Sequence, residues 1–179
     1  KGGFRMNIIM FVGRSEYSKI VYNNLKKKYI ISLVVQEASK NTKKILKFRL
    51  KKFGFRIWLG QIFFIVFSKI LSRVSKKRIR EIKNLYNLKT DPYEEGNLTI
   101  VDNINNNLVK TLISSMDYDL IVVTGTGIIK NNILESIKKP IINLHAGITP
   151  FYRGVHGAYW ALISSDLENC GVTVHFVDK

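Results

Sequence analysis

The stretch IINLHAGITPFYRGVHGAYWAL, residues 141–162, holds a strand, a loop and a helix in turn. Its opening apolar run is interrupted by Asn143 and His145. Because alternate residues of a strand point to the same face, these two side chains should project together. At the end of a strand, the amide can hold a carbonyl oxygen and the imidazole can transfer a proton near neutral pH. Two buried polar groups that cap a loop would leave the same pattern, so both interpretations stay open.

The loop that follows this strand ends in Arg153 and Gly154. Glycine releases the chain into the next helix, which the pattern predicts over residues 155–163. Arg153 could clamp an anionic group, but a structural role in which it binds loop carbonyls is favoured. His156 and Trp160 stand at i and i+4 of the predicted helix, and we expect them to pack. A ligand role for His156 is the alternative.

Outward from this stretch, apolar runs alternate with helical patterns along the chain. The further predicted strands are 6–12, 29–36, 98–101, 119–124 and 171–177, and the further helices are 15–25, 104–115 and 130–137. This alternation predicts an α/β fold, with a Rossmann-like, mostly parallel sheet and helices on both faces. Ligands of such sheets bind at the carboxyl ends of the strands, where the loops after Thr124 and His145 lie.

The composition is that of one globular domain. The 179 residues are 46% hydrophobic, which is enough for a sizeable core. Cys170 is the only cysteine, so no disulfide can form within the chain and a cytoplasmic location is expected, with a peripheral membrane position as the alternative. One cysteine and three histidines argue against a structural metal site, and we expect no metal.

The net charge of +16 is confined to one segment. Residues 40–89 hold 16 Lys and Arg against one acid, Glu81, whereas the rest of the chain has 13 basic and 12 acidic residues. The basicity therefore belongs to an insertion rather than to the whole domain. We predict a basic helical insertion over residues 38–90, within a domain that spans residues 6–179.

The insertion has two apolar patterns. Residues 70–86 place apolar and basic side chains on opposite halves of a helical wheel, with Arg78 as the exception, which predicts an amphipathic helix. Residues 57–67 are nearly all apolar, but fall short of the ~20 residues that a membrane span requires. A helical excursion packed on the parent domain is the plain interpretation. An anionic membrane surface or tRNA, bound through residues 43–86, are the alternatives.

The sequence TGTGII, residues 124–129, follows a predicted strand. Its glycines allow close approach of a ligand, so the backbone of Thr126, Gly127, Ile128 and Ile129 could bind a flat heterocycle. A turn that needs positive φ would explain the glycines equally well. The pattern is not GxGxxG, and neither is GRSEYS after the first strand, so a dinucleotide site is disfavoured.

The combination of these segments resembles the formyltransferase family that uses 10-formyltetrahydrofolate. The resemblance rests on TGTGII, INLHAGITPFYRG, HGAYWAL and CGVTVHFVD, and is strong over residues 119–179. The family includes glycinamide ribonucleotide, methionyl-tRNA and sugar N-formyltransferases. Its implied reaction is attack of a substrate amine on the formyl carbon of the folate co-substrate, without a metal.

The resemblance also assigns roles by position. Asn143 and His145 match the family's catalytic Asn and His, and the loop Thr126–Ile129 matches the segment that receives the pterin ring. His175 matches a second histidine that lies near the site in some members. The loop residues assigned to the substrate side of the site are Thr149, Tyr152, Arg153 and Gly154.

One departure concerns the family's catalytic aspartate, which is the second acid of a DxGxDTG-like stretch. This sequence reaches the first acid, Asp178, and ends at Lys179. We therefore expect a domain truncated at its carboxyl end, and a chain that is inactive or impaired on its own.

The leading hypothesis is an N-formyltransferase that acts on a primary amine of a small molecule, with an amino sugar as the favoured acceptor. The sequence HAGITPFYRGVHGAYWAL resembles the small-molecule branch of the family more than the tRNA branch. The alternatives are a methionyl-tRNA formyltransferase, and a non-catalytic folate-binding or membrane-associated module.

Overall fold

The computed structural model describes residues 5–38, 42–154 and 156–177. The described residues up to Ala38 and from Thr90 onward form one compact unit, which contains the sheet. The described residues between them form a second, helical unit.

The first unit is built on a six-stranded sheet, counted over the described residues. Its strands are β1 (Asn7–Val12), β2 (Ile30–Glu37), β3 (Leu98–Val101), β4 (Leu120–Thr124), β5 (Ile141–His145) and β6 (Thr173–Phe176). The strand order is β3-β2-β1-β4-β5-β6. All neighbours pair in parallel except β5 and β6, which are antiparallel. The predicted α/β fold with a mostly parallel sheet is confirmed.

Helices of the first unit cover both faces of this sheet. The helices of this unit are α1 (Glu16–Leu25), α4 (Asn107–Ser115), α5 (Asn131–Leu134) and α6 (Gly157–Ile163). The second unit contains α2 (Thr42–Val74) and α3 (Lys76–Leu85). Ser15 caps α1 as predicted, because its hydroxyl accepts the N–H of Ser18. The helix predicted from residue 104 begins later, because the Asn106 side chain accepts the N–H of Leu108 and starts α4 there.

The core divides between the two faces according to the strand period of two. Ile9 and Phe11 of β1 pack with α4 and α5 on one face. Ile8 and Met10 pack on the other face with Tyr22 of α1. Since residues on both faces of the central strands are buried, these strands read as continuous apolar runs in the sequence.

The strand order reverses between β1 and β4, and this places a crevice at their carboxyl ends. Gly13 follows β1 and Gly125 follows β4. A Cβ at Gly13 would clash with the Gly125 carbonyl oxygen, and Gly125 has a φ of +72°. Only glycine allows the two backbones to meet this closely, so both loops converge on one site.

The second unit confirms the predicted helical insertion after the second strand, with two corrections. The helix predicted over residues 70–86 is interrupted at Ser75, between α2 and α3. The apolar run 57–67, which we judged too short for a membrane span, lies within a longer helix. Within it, Ile45–Val74 is long and apolar enough to cross a membrane by length and composition. At Gly54 the backbone is non-helical, with a φ of +79°, so α2 is kinked there.

Candidate functional site

The carboxyl ends of β4 and β5 and the edge strand β6 meet at a cleft of about 920 Å³. Asn143 and His145 of β5 both line it, together with His175 of β6. The loop after β4 contributes the predicted residues Thr126, Gly127, Ile128 and Ile129. The structure thus brings together the three polar residues and the glycine-containing loop that the sequence singled out separately.

Asn143 and His175 are joined by a hydrogen bond across the antiparallel strand pair. The two residues are direct partners in the β5–β6 register, and Asn143 Nδ2 lies 3.1 Å from His175 Nε2. The other ring nitrogen, Nδ1, lies 2.7 Å from the carbonyl oxygen of Phe176. Because a carbonyl can only accept, Nδ1 carries the proton in the neutral ring and Nε2 accepts from the amide. His175 therefore fixes the orientation of the Asn143 amide.

His145 lies two residues further along the same strand. Its Nε2 is buried, and among the described residues it has no hydrogen-bond partner. An unpaired polar atom in a buried position carries a desolvation cost unless a ligand can satisfy it. His145 lines the cleft, and a ligand could pair with its covered Nε2 once the neighbouring atoms move aside.

The loop after β4 is held by residues that the sequence analysis did not single out. Glu37, at the end of β2, accepts the Gly127 N–H at 2.7 Å. Asn105 donates to the Ile128 carbonyl at 3.0 Å and accepts the Lys130 N–H at 2.7 Å. The available signal was an acid directly after the predicted strand 29–36, whereas Asn105 fell within the helix predicted over residues 104–115. Their pairing with this loop depends on the order of the strands.

The predicted substrate loop divides into two groups. Gly154 lines the cleft, whereas Thr149, Tyr152 and Arg153 do not. The Thr149 N–H binds the Thr173 hydroxyl at 3.0 Å, and the Tyr152 hydroxyl donates to Asp166 at 2.9 Å. The Arg153 side chain is exposed. Thr149 and Tyr152 thus brace the loop against the following segments of the chain.

The hydrogen bond between Tyr152 and Asp166 shifts both pKa values. Tyr152 stabilises the carboxylate, and with Asn169 it lowers the pKa of Asp166 from its usual 3.8. The same bond to Asp166 raises the pKa of the Tyr152 hydroxyl. The Asp166 carboxylate that accepts this bond is therefore negatively charged at neutral pH.

The prediction that His156 and Trp160 pack is wrong. Both are exposed, with 54% of Trp160 accessible. His156 has a φ of +65° and precedes α6, so it stands outside the helix on which the i, i+4 argument depended. It lines the cleft instead, as the alternative interpretation required.

Two further expectations concern Asp178 and metal binding. Asp178, the first acid of the family's pattern, lies outside the described residues. Among the residues that the structure describes, no three His, Cys, Asp or Glu side chains form a cluster that could hold a metal ion.

The amino-acid sequence has relatives among methionyl-tRNA formyltransferases. That of Finegoldia magna is 34% identical over 112 residues, which cover 62% of this chain and 36% of the relative. That of Desulforamulus reducens is 41% identical over 68 residues, which cover 37% of this chain and 21% of the relative. The chain thus spans about a third or less of the length of the curated relatives it matches.

Two solved enzyme structures superpose on this chain. Phosphoribosylglycinamide formyltransferase from Coxiella burnetii superposes with a TM-score of 0.56 at 14% identity, covering 98% of this chain and 67% of that one. Glycinamide ribonucleotide transformylase 1 from Symbiobacterium toebii gives 0.54 at 13% identity, covering 98% and 68%. At such identities the likeness concerns the fold.

The profile of one family, described as formyl transferase, matches residues 65–179. This range contains the loop after β4, the Asn143–His145 strand end and β6. The resemblance inferred from residues 119–179 is confirmed, and the chain belongs to the formyl transferase family.

Proposed function

We propose that residues 6–179 are the amino-terminal catalytic domain of a cytoplasmic N-formyltransferase, interrupted by the insertion at 38–90. The reaction is transfer of a formyl group from 10-formyltetrahydrofolate to a primary amine of a small molecule, with an amino sugar as the favoured acceptor. The observation that carries the proposal is the meeting of Asn143, His145 and His175 in one cleft with the loop Thr126–Ile129.

The cleft fits a flat heterocycle that carries a formyl group. The loop Thr126–Ile129 offers main-chain groups held in place by Glu37 and Asn105, and Leu134 and Val177 add apolar surface. The buried Nε2 of His145 has no hydrogen-bond partner among the described residues, and we propose that a polar group of the ligand supplies one. When bound, 10-formyltetrahydrofolate supplies the electrophilic carbon that the amine attacks.

The residues of this chain have separate tasks in the transfer. The Asn143 amide carries two protons, of which one is donated to His175, so the other can stabilise negative charge that develops on the formyl oxygen. His145, with Nδ1 protonated, can accept the proton of the attacking amine at Nε2. His175 acts through Asn143, whose amide it holds in the orientation that this task requires.

Methionyl-tRNA is the second candidate acceptor. It is favoured by the names of the sequence relatives, which are methionyl-tRNA formyltransferases. The basic insertion adds cations that could neutralise tRNA phosphates. A non-catalytic folate-binding module is the third interpretation.

The test combines folate binding with an acceptor panel. Calorimetry with 10-formyltetrahydrofolate should show binding, and formyl transfer by the full-length protein should be detected with amino sugars, free or nucleotide-linked. Asn143→Ala should lower the transfer rate by about 10²–10³-fold, since an oxyanion donor is lost. Asn107→Ala, on the exposed first turn of α4, is the matched control.

The outcomes separate the three interpretations. Transfer to methionyl-tRNA alone would replace the small-molecule proposal with the second candidate. Folate binding without transfer to any amine would leave the binding module. Absence of folate binding would reject the proposal.

A further inference from the structure

The second half of α2 exposes apolar side chains over one broad face. Phe63 is 73% exposed, while Phe64, Val66 and Phe67 are each 51% exposed. Successive residues of a helix are turned by about 100°, so these four spread over an arc of roughly 160°. In the most apolar 18-residue window of Ile45–Val74, none of the residues is buried within the structure. An exposed apolar face this broad requires an apolar partner, such as another protein surface or lipid.

Cations flank this apolar run and are absent from it. Residues 57–68 contain no charged side chain, whereas residues 43–56 hold seven Lys and Arg and residues 69–83 hold seven more. The only acid among them is Glu81, which forms an ion pair with Arg78 at 3.4 Å. Long basic side chains beside an apolar run can keep their stems in an apolar layer and place their charges among phosphate headgroups.

Ile45–Val74 is long enough to cross a bilayer, but the shorter length of its uncharged run favours a position at the bilayer surface. Twelve helical residues extend for about 18 Å, whereas the hydrocarbon core is about 30 Å thick. The helix α3 adds a basic surface, and none of its residues is buried. It contains Lys76, Lys77, Arg80 and Lys83, so it would lie against the headgroups while the run in α2 enters the acyl boundary.

Nucleic acid and a second copy of the chain are the alternative partners. Each would explain either the flanking cations or the exposed apolar side chains, but not both. Nucleic acid would be attracted by the cations, but it gives no reason for the exposed apolar face of α2. A second copy of the chain could cover the apolar side chains, but it would bring together two segments that each carry fourteen cations and one acid. An anionic bilayer accounts for both features, because it is apolar within and negative at its surface.

We propose that residues 42–86 are a membrane-surface anchor that binds bilayers rich in anionic phospholipid. The apolar run of α2 enters the acyl boundary, and the cations on either side of it bind the headgroups. This inference does not depend on formyl transfer.

Co-sedimentation of the full chain with vesicles tests the anchor. Binding is expected to vesicles of phosphatidylcholine mixed with phosphatidylglycerol, to weaken at high salt, and to be at least tenfold weaker on phosphatidylcholine alone. Phe63→Ser with Phe67→Ser should weaken binding by roughly tenfold or more. Lys76→Gln with Lys77→Gln should do the same.

Matched variants in the sheet unit serve as controls. Leu108→Ser removes an exposed apolar side chain, and Lys138→Gln with Lys139→Gln removes two exposed cations. Both should bind as the wild type does, and circular dichroism should show that every variant folds. Depth is read from quenching of Trp58 by brominated lipid in a Trp160→Phe background.

Three results would overturn the anchor. The first is no vesicle binding, with or without binding of tRNA. The second is equal binding to neutral and anionic vesicles. The third is a stable oligomer, seen by light scattering, that the Phe63 and Phe67 variants dissolve while vesicle binding stays unchanged.

Discussion

The carboxylate of Glu37 accepts the backbone N–H of Gly127 at 2.7 Å, across a sequence separation of 90 residues. Its second oxygen accepts the Ile104 N–H at 3.4 Å. Glu37 is only 8% exposed, so both bonds form in a largely dehydrated environment. A charged side chain at the end of β2 therefore sets the position of the loop that we assign to the folate.

Replacing Glu37 by Gln should loosen this loop. Gln keeps one acceptor, but its amide group would face either Gly127 or Ile104 with donor against donor. We expect the free energy of unfolding to fall by about 1–3 kcal/mol and the Kd for 10-formyltetrahydrofolate to rise roughly tenfold. Urea unfolding and calorimetric titration measure the two effects.

Glu135→Gln provides the control for this variant. It removes the same charge from an exposed position after α5, and should change neither quantity by more than about 0.5 kcal/mol. An unchanged folate affinity in Glu37→Gln would show that Glu37 stabilises the fold without positioning the loop.

The Asn143–His175 pair predicts one tautomer of the imidazole. Nitrogen-15 NMR of the neutral ring should show Nδ1 protonated and Nε2 bare, because Nδ1 donates to Phe176 and Nε2 accepts from Asn143. Asn143→Ala should shift the Nε2 resonance and leave that of Nδ1 nearly unchanged. A ring protonated at Nε2 would contradict the geometry, and Asn107→Ala should leave both signals in place.

The contact between Gly147 and Gly157 predicts a packing defect on substitution. A Cβ at Gly157 would lie 2.7 Å from Gly147 Cα and 2.9 Å from the Tyr152 carbonyl oxygen, both of which are backbone atoms. We expect Gly157→Ala to lower the free energy of unfolding by about 1–3 kcal/mol. A Cβ at Gly96 would meet nothing within 4 Å, so Gly96→Ala is the control. Equal stability of the two variants would refute the close approach.

The Tyr152–Asp166 bond predicts a pH dependence. Asp166 has a folded pKa below its usual 3.8, so it adds stability above that value and loses it as the pH falls through the folded pKa. Tyr152→Phe should raise the pKa of Asp166 and lower stability at neutral pH, while the difference from wild type shrinks in acid. Asn169 still donates to the carboxylate, so the pKa should stay partly lowered.

Carbon-13 NMR titration of the Asp166 carboxyl and thermal unfolding between neutral and acidic pH measure these effects. Tyr159→Phe is the control, since it removes a hydroxyl from an exposed tyrosine while keeping its ring contact with Trp160. A difference in stability between Tyr152→Phe and wild type that grows in acid would have the wrong sign for this bond.

Much of the fold could be predicted because its signals are local. The apolar runs of β1 and β4 and the Ser15 cap follow from neighbouring residues alone. The boundary errors have local causes as well. The left-handed conformation of His156 delays α6, and Ser75 interrupts the helix that the apolar period of residues 70–86 suggested as continuous.

The candidate site was less accessible from the sequence, for a physical reason. The strand period of two predicted that Asn143 and His145 project from the same face, because this depends only on the strand's own backbone. His175 was assigned by family resemblance, and its bond to Asn143 requires the antiparallel register of β5 with β6. Glu37 was missed, because its partner is fixed by the placement of β2 and β4 on either side of β1.

The sequence by itself determined the alternation of strands and helices, the location of the basic insertion, and the presence of an amide and an imidazole at one strand end. These depend on backbone periodicity and composition, which are properties of short segments. The tertiary structure alone decided which distant residues meet: Asn143 with His175, Glu37 with Gly127, and Gly147 with Gly157. Such contacts depend on strand order and register, which arise from packing of the whole sheet and not from any one stretch of chain.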